Sequence, residues 1–121
     1  MTQIRVENVT RGQTLVAAGR VAKSFIPRLR GLIGHKPLAP GEGLLLIPSN
    51  SIHMFFMSFP IDVLYVARSR QVVAMDQDMA PWRVGRIHRT ARFVIELPAG
   101  TIATSGTQVG DQLEVPSLGL G

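Results

Sequence analysis

The stretch Ser51–Ala67 reads SIHMFFMSFPIDVLYVA, and its parsing decides the fold. Pro60 splits it into two apolar pieces, Ile52–Met57 and Ile61–Ala67. Both are short and rich in aromatic or β-branched residues, so each reads as a strand. If the first piece is extended, His53, Phe55 and Met57 share one face and Met54 and Phe56 the other. In the second, Asp62 is a single charge among Ile61, Val63, Leu64, Tyr65 and Val66.

Working outward, further short strands are separated by turn residues. Before the stretch, Pro48-Ser49-Asn50-Ser51 forms a turn, and Leu44–Ile47 reads as a strand buried on both faces. Leu38–Gly43 carries Pro and Gly and must be a loop. Ile4, Val6 and Val9, the Arg11-Gly12-Gln13 turn and Leu15–Ala18 predict an N-terminal hairpin. The predicted helix is Ser24–Gly34, with Phe25, Leu29, Leu32 and Ile33 at helical spacing, Ser24 as its cap, Pro27 in its first turn and Gly34 at its end. After Ala67, a turn at Arg68-Ser69-Arg70 leads into a strand over Gln71–Met75. Asp76–Arg89, with Pro81, Gly85 and scattered charge, reads as a surface loop. Arg92–Leu97 is the next strand, closed by Pro98-Ala99-Gly100, and Gln112–Val115 the last. The pattern predicts a mainly β fold over residues 1–121 as one domain: an antiparallel sandwich or partly closed barrel with one short helix near the N-terminal third.

The chain has 121 residues, 45% hydrophobic and 17% charged, ample for a core and unlike a disordered composition. Its lack of cysteine excludes disulfides, thiolate nucleophiles, Fe–S clusters and Cys-type zinc sites. No apolar run is long enough to span a bilayer and no leader is evident, so a cytoplasmic protein is expected. Thirteen Lys and Arg against eight Asp and Glu give a net charge of +5. Such a surface favours anionic neighbours, or simply solvates the protein. No Walker loop, GxGxxG, HExxH or GxSxG occurs, and no cofactor is expected.

Several residues could carry chemistry. His53 and Met57 on one face could belong to a soft-metal site, though one imidazole and one thioether are few ligands and core packing competes. Asp62 and Glu96, both in apolar strands, each need a partner. Together they could act as general acid and base, or they could be structural, paired with arginine or bonded to loop amides. Arg30 is the arginine chosen as partner, since a guanidinium binds a carboxylate bidentately. Trp82-Arg83-Val84-Gly85-Arg86-Ile87-His88-Arg89-Thr90-Ala91-Arg92 places arginine at every third position beside Trp82, so Arg83, Arg86, Arg89 and Arg92 are anion-binding candidates. Without an RNP, KH or helix-turn-helix signature, nucleic acid is a lesser expectation.

The ordered set Arg28-Leu29-Arg30-Gly31-Leu32, Ile52–Met57, Pro60-Ile61-Asp62-Val63, Val94-Ile95-Glu96-Leu97-Pro98-Ala99-Gly100 and Gly110-Asp111 resembles the family called domain of unknown function 192, over about residues 10–115. The resemblance implies a compact β-rich domain with a short helix near its front, and no established activity; many relatives look exported. The functional expectation is a non-enzymatic domain that binds a small ligand, or a protein partner, at a cleft near His53, Met57, Asp62 and Trp82, the ligand being anionic. The alternatives are a hydrolase or lyase using Asp62 or Glu96, and copper binding by His53 and Met57.

Overall fold

The computed structural model describes residues 4–22, 38–47, 59–80 and 85–116. Its strands are β1 (Ile4–Asn8), β2 (Gln13–Ala22), β3 (Glu42–Leu46), β4 (Ile61–Ala67), β5 (Val72–Met79), β6 (Ala91–Pro98) and β7 (Leu113–Glu114). One five-residue helix, α1 (Thr101–Ser105), follows β6. The strands form one curled sheet, a half-barrel, in the order β5-β4-β6-β3-β2-β1-β7. Its two edges approach each other at one end. Gln71 bridges Gln112, Val72 N–H donates to the Asp111 carbonyl at 3.0 Å, and Leu113 N–H donates to the Arg70 carbonyl at 2.9 Å. A curled sheet closed in this way hides part of its exposed edge.

The predicted β-rich, partly closed barrel is therefore the observed architecture. Within it one pair is parallel, β2 with β3, where Gly19 stands opposite Gly43. Parallel neighbours require a crossover connection instead of a tight hairpin. The predicted helix Ser24–Gly34 falls in this connection and lies outside the described residues, as does the predicted strand Ile52–Met57. Gly19 and Gly43 are needed for close approach: a Cβ on Gly19 would come to 2.8 Å from Val16 Cγ1, and one on Gly43 to 2.7 Å from Val16 Cγ2. Val16 fills the space that two side chains would otherwise occupy.

Two cores lie on opposite sides of the central strands. The first contains Leu15, Val16, Leu45, Leu64, Val66, Phe93, Ile95, Leu97 and Ile102, and the second Leu44, Leu46, Ile61, Val63, Tyr65 and Val94. Alternation along each strand produces this division, because successive side chains point to opposite faces. It explains why β3, β4 and β6 read as continuous apolar runs.

Two expectations are corrected. Asp76–Met79 belongs to β5 rather than to a loop, because β5 is an edge strand and tolerates polar residues that a central strand would exclude. Its register against β4 slips between Ile61 and Val63, so that Met79 faces Ile61 and Asp76 faces Val63. Asp78 in this bulge has φ +51°. The turn after β6 also continues into α1. Gly100 caps this helix at φ 96°, a conformation cheap for glycine alone.

Candidate functional site

Asp62 and Glu96, grouped by the sequence as a polar pair, point to opposite faces of the sheet. Asp62 stands opposite Leu97 and Val63 opposite Glu96. Directly opposed residues share a face. Leu97 belongs to the first core and Val63 to the second, so the carboxylates are separated by the sheet itself. Asp62 and Glu96 therefore do not converge on one cavity.

Asp62 is 1% exposed, and backbone donors occupy both its oxygens. Oδ1 accepts Asp78 N–H at 2.8 Å; Oδ2 accepts Gly100 N–H at 3.1 Å and Ile102 N–H at 2.8 Å. One carboxylate thus ties β4 to the bulge of β5 and to the first turn of α1. Such charge-assisted bonds are stronger than neutral ones. Glu96 is fully buried beside the second core. Arg30, His53, Met57, Trp82 and Arg83 lie outside the described residues.

On the second face, the register sets Glu96, Val63 and Asp76 in one row across β6, β4 and β5. Tyr65, two residues along β4 from Val63, is fully buried, and its hydroxyl donates to Asp76 Oδ2 at 2.7 Å. Burial first, then the bond to Asp76 and the charges of Asp76 and Glu96, push the phenol above its ordinary value, so Tyr65 stays a hydrogen-bond donor. The ring of His88 lies against that of Tyr65, centroids 4.1 Å apart and planes at 50°.

Beside this group a cleft of about 560 Å³ opens between β5 and the segment leading into β6. Asp76, Asp78, Met75 and Met79 line one wall, and Arg86 and His88 line the other. Of the arginines proposed for anion binding, Arg86 lines the cleft, while Arg89 and Arg92 are exposed and do not. Among the described residues no three His, Asp or Glu gather as metal ligands. Sequence reasoning missed Tyr65, Asp76, Asp78 and His88 as site residues. No period of two marked the end of the strand: Asp76-Gln77-Asp78 is uniformly polar, and the bulge at Asp78 sets Met79 against the second core while Met75 packs on the first.

A second polar cluster ties the end of β1 and the turn after it to the segment before β7. Buried Asp111 accepts Arg11 Nε at 2.9 Å on Oδ2 and Arg11 Nη2 at 3.1 Å on Oδ1, and Oδ2 also accepts Asn8 Nδ2 at 3.0 Å and Gln108 N–H at 2.9 Å. The Arg11 guanidinium, with the Asn8 and Gln108 donors, lowers the Asp111 carboxyl to about 2. The sequence marked Gly110-Asp111 as a turn. The side-chain partners of Asp111, Asn8 and Arg11, lie about a hundred positions away and carry no local signal.

The chain is thus a curled β-sheet fold, and solved structures of low sequence similarity share that fold. It aligns with a candidate transcription regulator from Sinorhizobium meliloti 1021 at TM-score 0.80, 24% identity, covering 96% of this chain and 94% of the other. It aligns with a protein of unknown function from Novosphingobium aromaticivorans at TM-score 0.78, 21% identity, covering 93% and 84%. Residues 6–115 match the DUF192 family, described as Uncharacterized ACR, and the chain belongs to that family. Among its relatives, a UPF0127 protein of Thermococcus sibiricus is 34% identical over 115 residues, 88% of this chain and 71% of the relative. Another, from Pyrococcus furiosus, is 34% identical over 110 residues, 88% and 94% of the two chains. Among the described residues, no helix is long and apolar enough to cross a membrane.

Proposed function

We propose that this protein is a non-enzymatic binding domain that holds a small polar ligand in the cleft between β5 and residues 85–88. The observation that carries this reading is the fixed carboxylate at the cleft wall. Asp76 is oriented by the buried Tyr65 hydroxyl, and the Tyr65 ring is in turn packed by His88. A preorganised polar group loses little freedom when a ligand arrives. The volume, about 560 Å³, falls in the range of small-molecule clefts. Asp62 supports the non-enzymatic side: its oxygens are committed to three backbone donors, and it is separated from Glu96 by the sheet. The two Asp residues in the wall disfavour a wholly anionic ligand. We take the cytoplasm as the working compartment, in keeping with a cysteine-free chain.

The test is thermal melting of the chain against the proteinogenic amino acids, common monosaccharides, nucleosides and small carboxylic acids. A ligand at about 100 times its Kd stabilises the folded state by about 2.7 kcal/mol, which raises the melting temperature by several degrees. Ala80, exposed on the cleft wall, is the position to block. Ala80→Trp should abolish the shift without lowering the ligand-free melting temperature. A ligand that stabilises both proteins equally would refute the cleft as the site.

A further inference from the structure

We infer that the ligand of this cleft is a small zwitterion, a molecule of amino-acid size with an ammonium group at one end and an acid group at the other. The inference rests on the reading of the cleft as a binding site and adds the chemistry of what enters it. The two walls come from different segments and carry opposite charge: Asp76 and Asp78 from β5, Arg86 from the segment before β6. These charges do not neutralise one another. The ion pairs among the described residues are Arg5–Glu7 and Arg11–Asp111, and Arg86, Asp76 and Asp78 take part in neither.

A ligand with a single sign of charge would satisfy one wall and oppose the other, whereas an ammonium on Asp76 and a carboxylate on Arg86 satisfies both. Arg86 offers a planar fork suited to a carboxylate. On the acidic side, Asp76 has one oxygen fixed by Tyr65, which orients the carboxylate toward an incoming donor. Met75, Met79 and Ala80 supply apolar surface for the aliphatic part of such a molecule, and methionine adapts to varied shapes.

Isothermal calorimetry on the full chain tests the class, with L-glutamine, L-lysine and L-methionine as zwitterions and D-glucose and inorganic phosphate as a neutral and an anionic control. The expected result is saturable binding of an amino acid, weakened about tenfold or more by Asp76→Asn and by Arg86→Gln. Arg86 is exposed, so Arg86→Gln keeps the fold even if Asp76→Asn disturbs the Tyr65 bond. Binding of glucose or phosphate that Ala80→Trp blocks, with the amino acids silent, overturns the zwitterion class and leaves the cleft reading standing. Amino-acid binding unchanged in both charge variants overturns the inference, as does silence from all three amino acids. The melting panel then decides the cleft independently.

Discussion

Tyr65 is the sole tyrosine of the chain, and it joins the buried face of β4 to the cleft. Its ring is fully buried and its hydroxyl ends on Asp76, so ionising it would place a second negative charge beside an existing carboxylate in an apolar setting. The phenol is therefore raised above its ordinary 10, by burial first and by Asp76 next. The sign follows from linkage. Below pH 10 both folded and unfolded chains hold the proton and Tyr65 makes no pH-dependent contribution; above it the unfolded chain releases the proton first, so stability falls as pH rises. A spectrophotometric titration reads this one residue directly. Tyrosinate absorbance should stay flat through pH 10 and rise only with unfolding, and Asp76→Asn should ease ionisation. Tyrosinate forming near pH 10 in protein that is still folded would contradict the buried bond. Nothing in the apolar run Ile61–Ala67 marks Tyr65 out, since its acceptor is supplied by a neighbouring strand.

At the scale of elements, Asp62 holds three pieces together, and its necessity was readable where its partners were not. A lone carboxylate in IDVLYVA must be paired, which the sequence states plainly. The choice between arginine and backbone amides depended on where β5 bulges and where α1 begins. Both are set by tertiary contacts: the register slip opposite Ile61–Val63 and the left-handed Gly100. Removing the carboxylate leaves the N–H groups of Asp78, Gly100 and Ile102 without their acceptor. Asp62→Ala should lower the unfolding free energy in urea by about 3 kcal/mol, with Asp62→Asn intermediate because its amide presents one acceptor oxygen. A loss below about 1 kcal/mol for the alanine variant would show that water replaces the carboxylate. Strand β5 was cut short for a related reason. Asp76-Gln77-Asp78 resembles loop chemistry by composition, yet an edge strand accepts it, and the charge that disguised the strand is what lines the cleft.

For the whole molecule, the apolar rhythm disclosed the barrel but not its closure. Gln71 meets Gln112 from the middle of the chain, and Arg11 clasps Asp111 from its other end. Their pairing depends on the curl of the whole sheet. The Asp111 carboxyl sits at about 2 in the folded protein against an ordinary 3.8, so its contribution is fully present above pH 3.8 and lost as pH falls toward 2. Denaturant midpoints should therefore fall over that window, and Asp111→Asn should be less stable at neutral pH with a flatter acid limb. Equal acid dependence in the two proteins would remove Asp111 from the account. The same curl leaves the lateral cleft against β5, where Tyr65 fixes Asp76, and there the functional claim rests. The most direct measurement is amide chemical-shift mapping of the chain titrated with L-glutamine. The account predicts saturable shifts confined to Met75–Ala80 and Gly85–His88; shifts centred instead on the hollow of Arg5, Glu7 and Glu114 would contradict it.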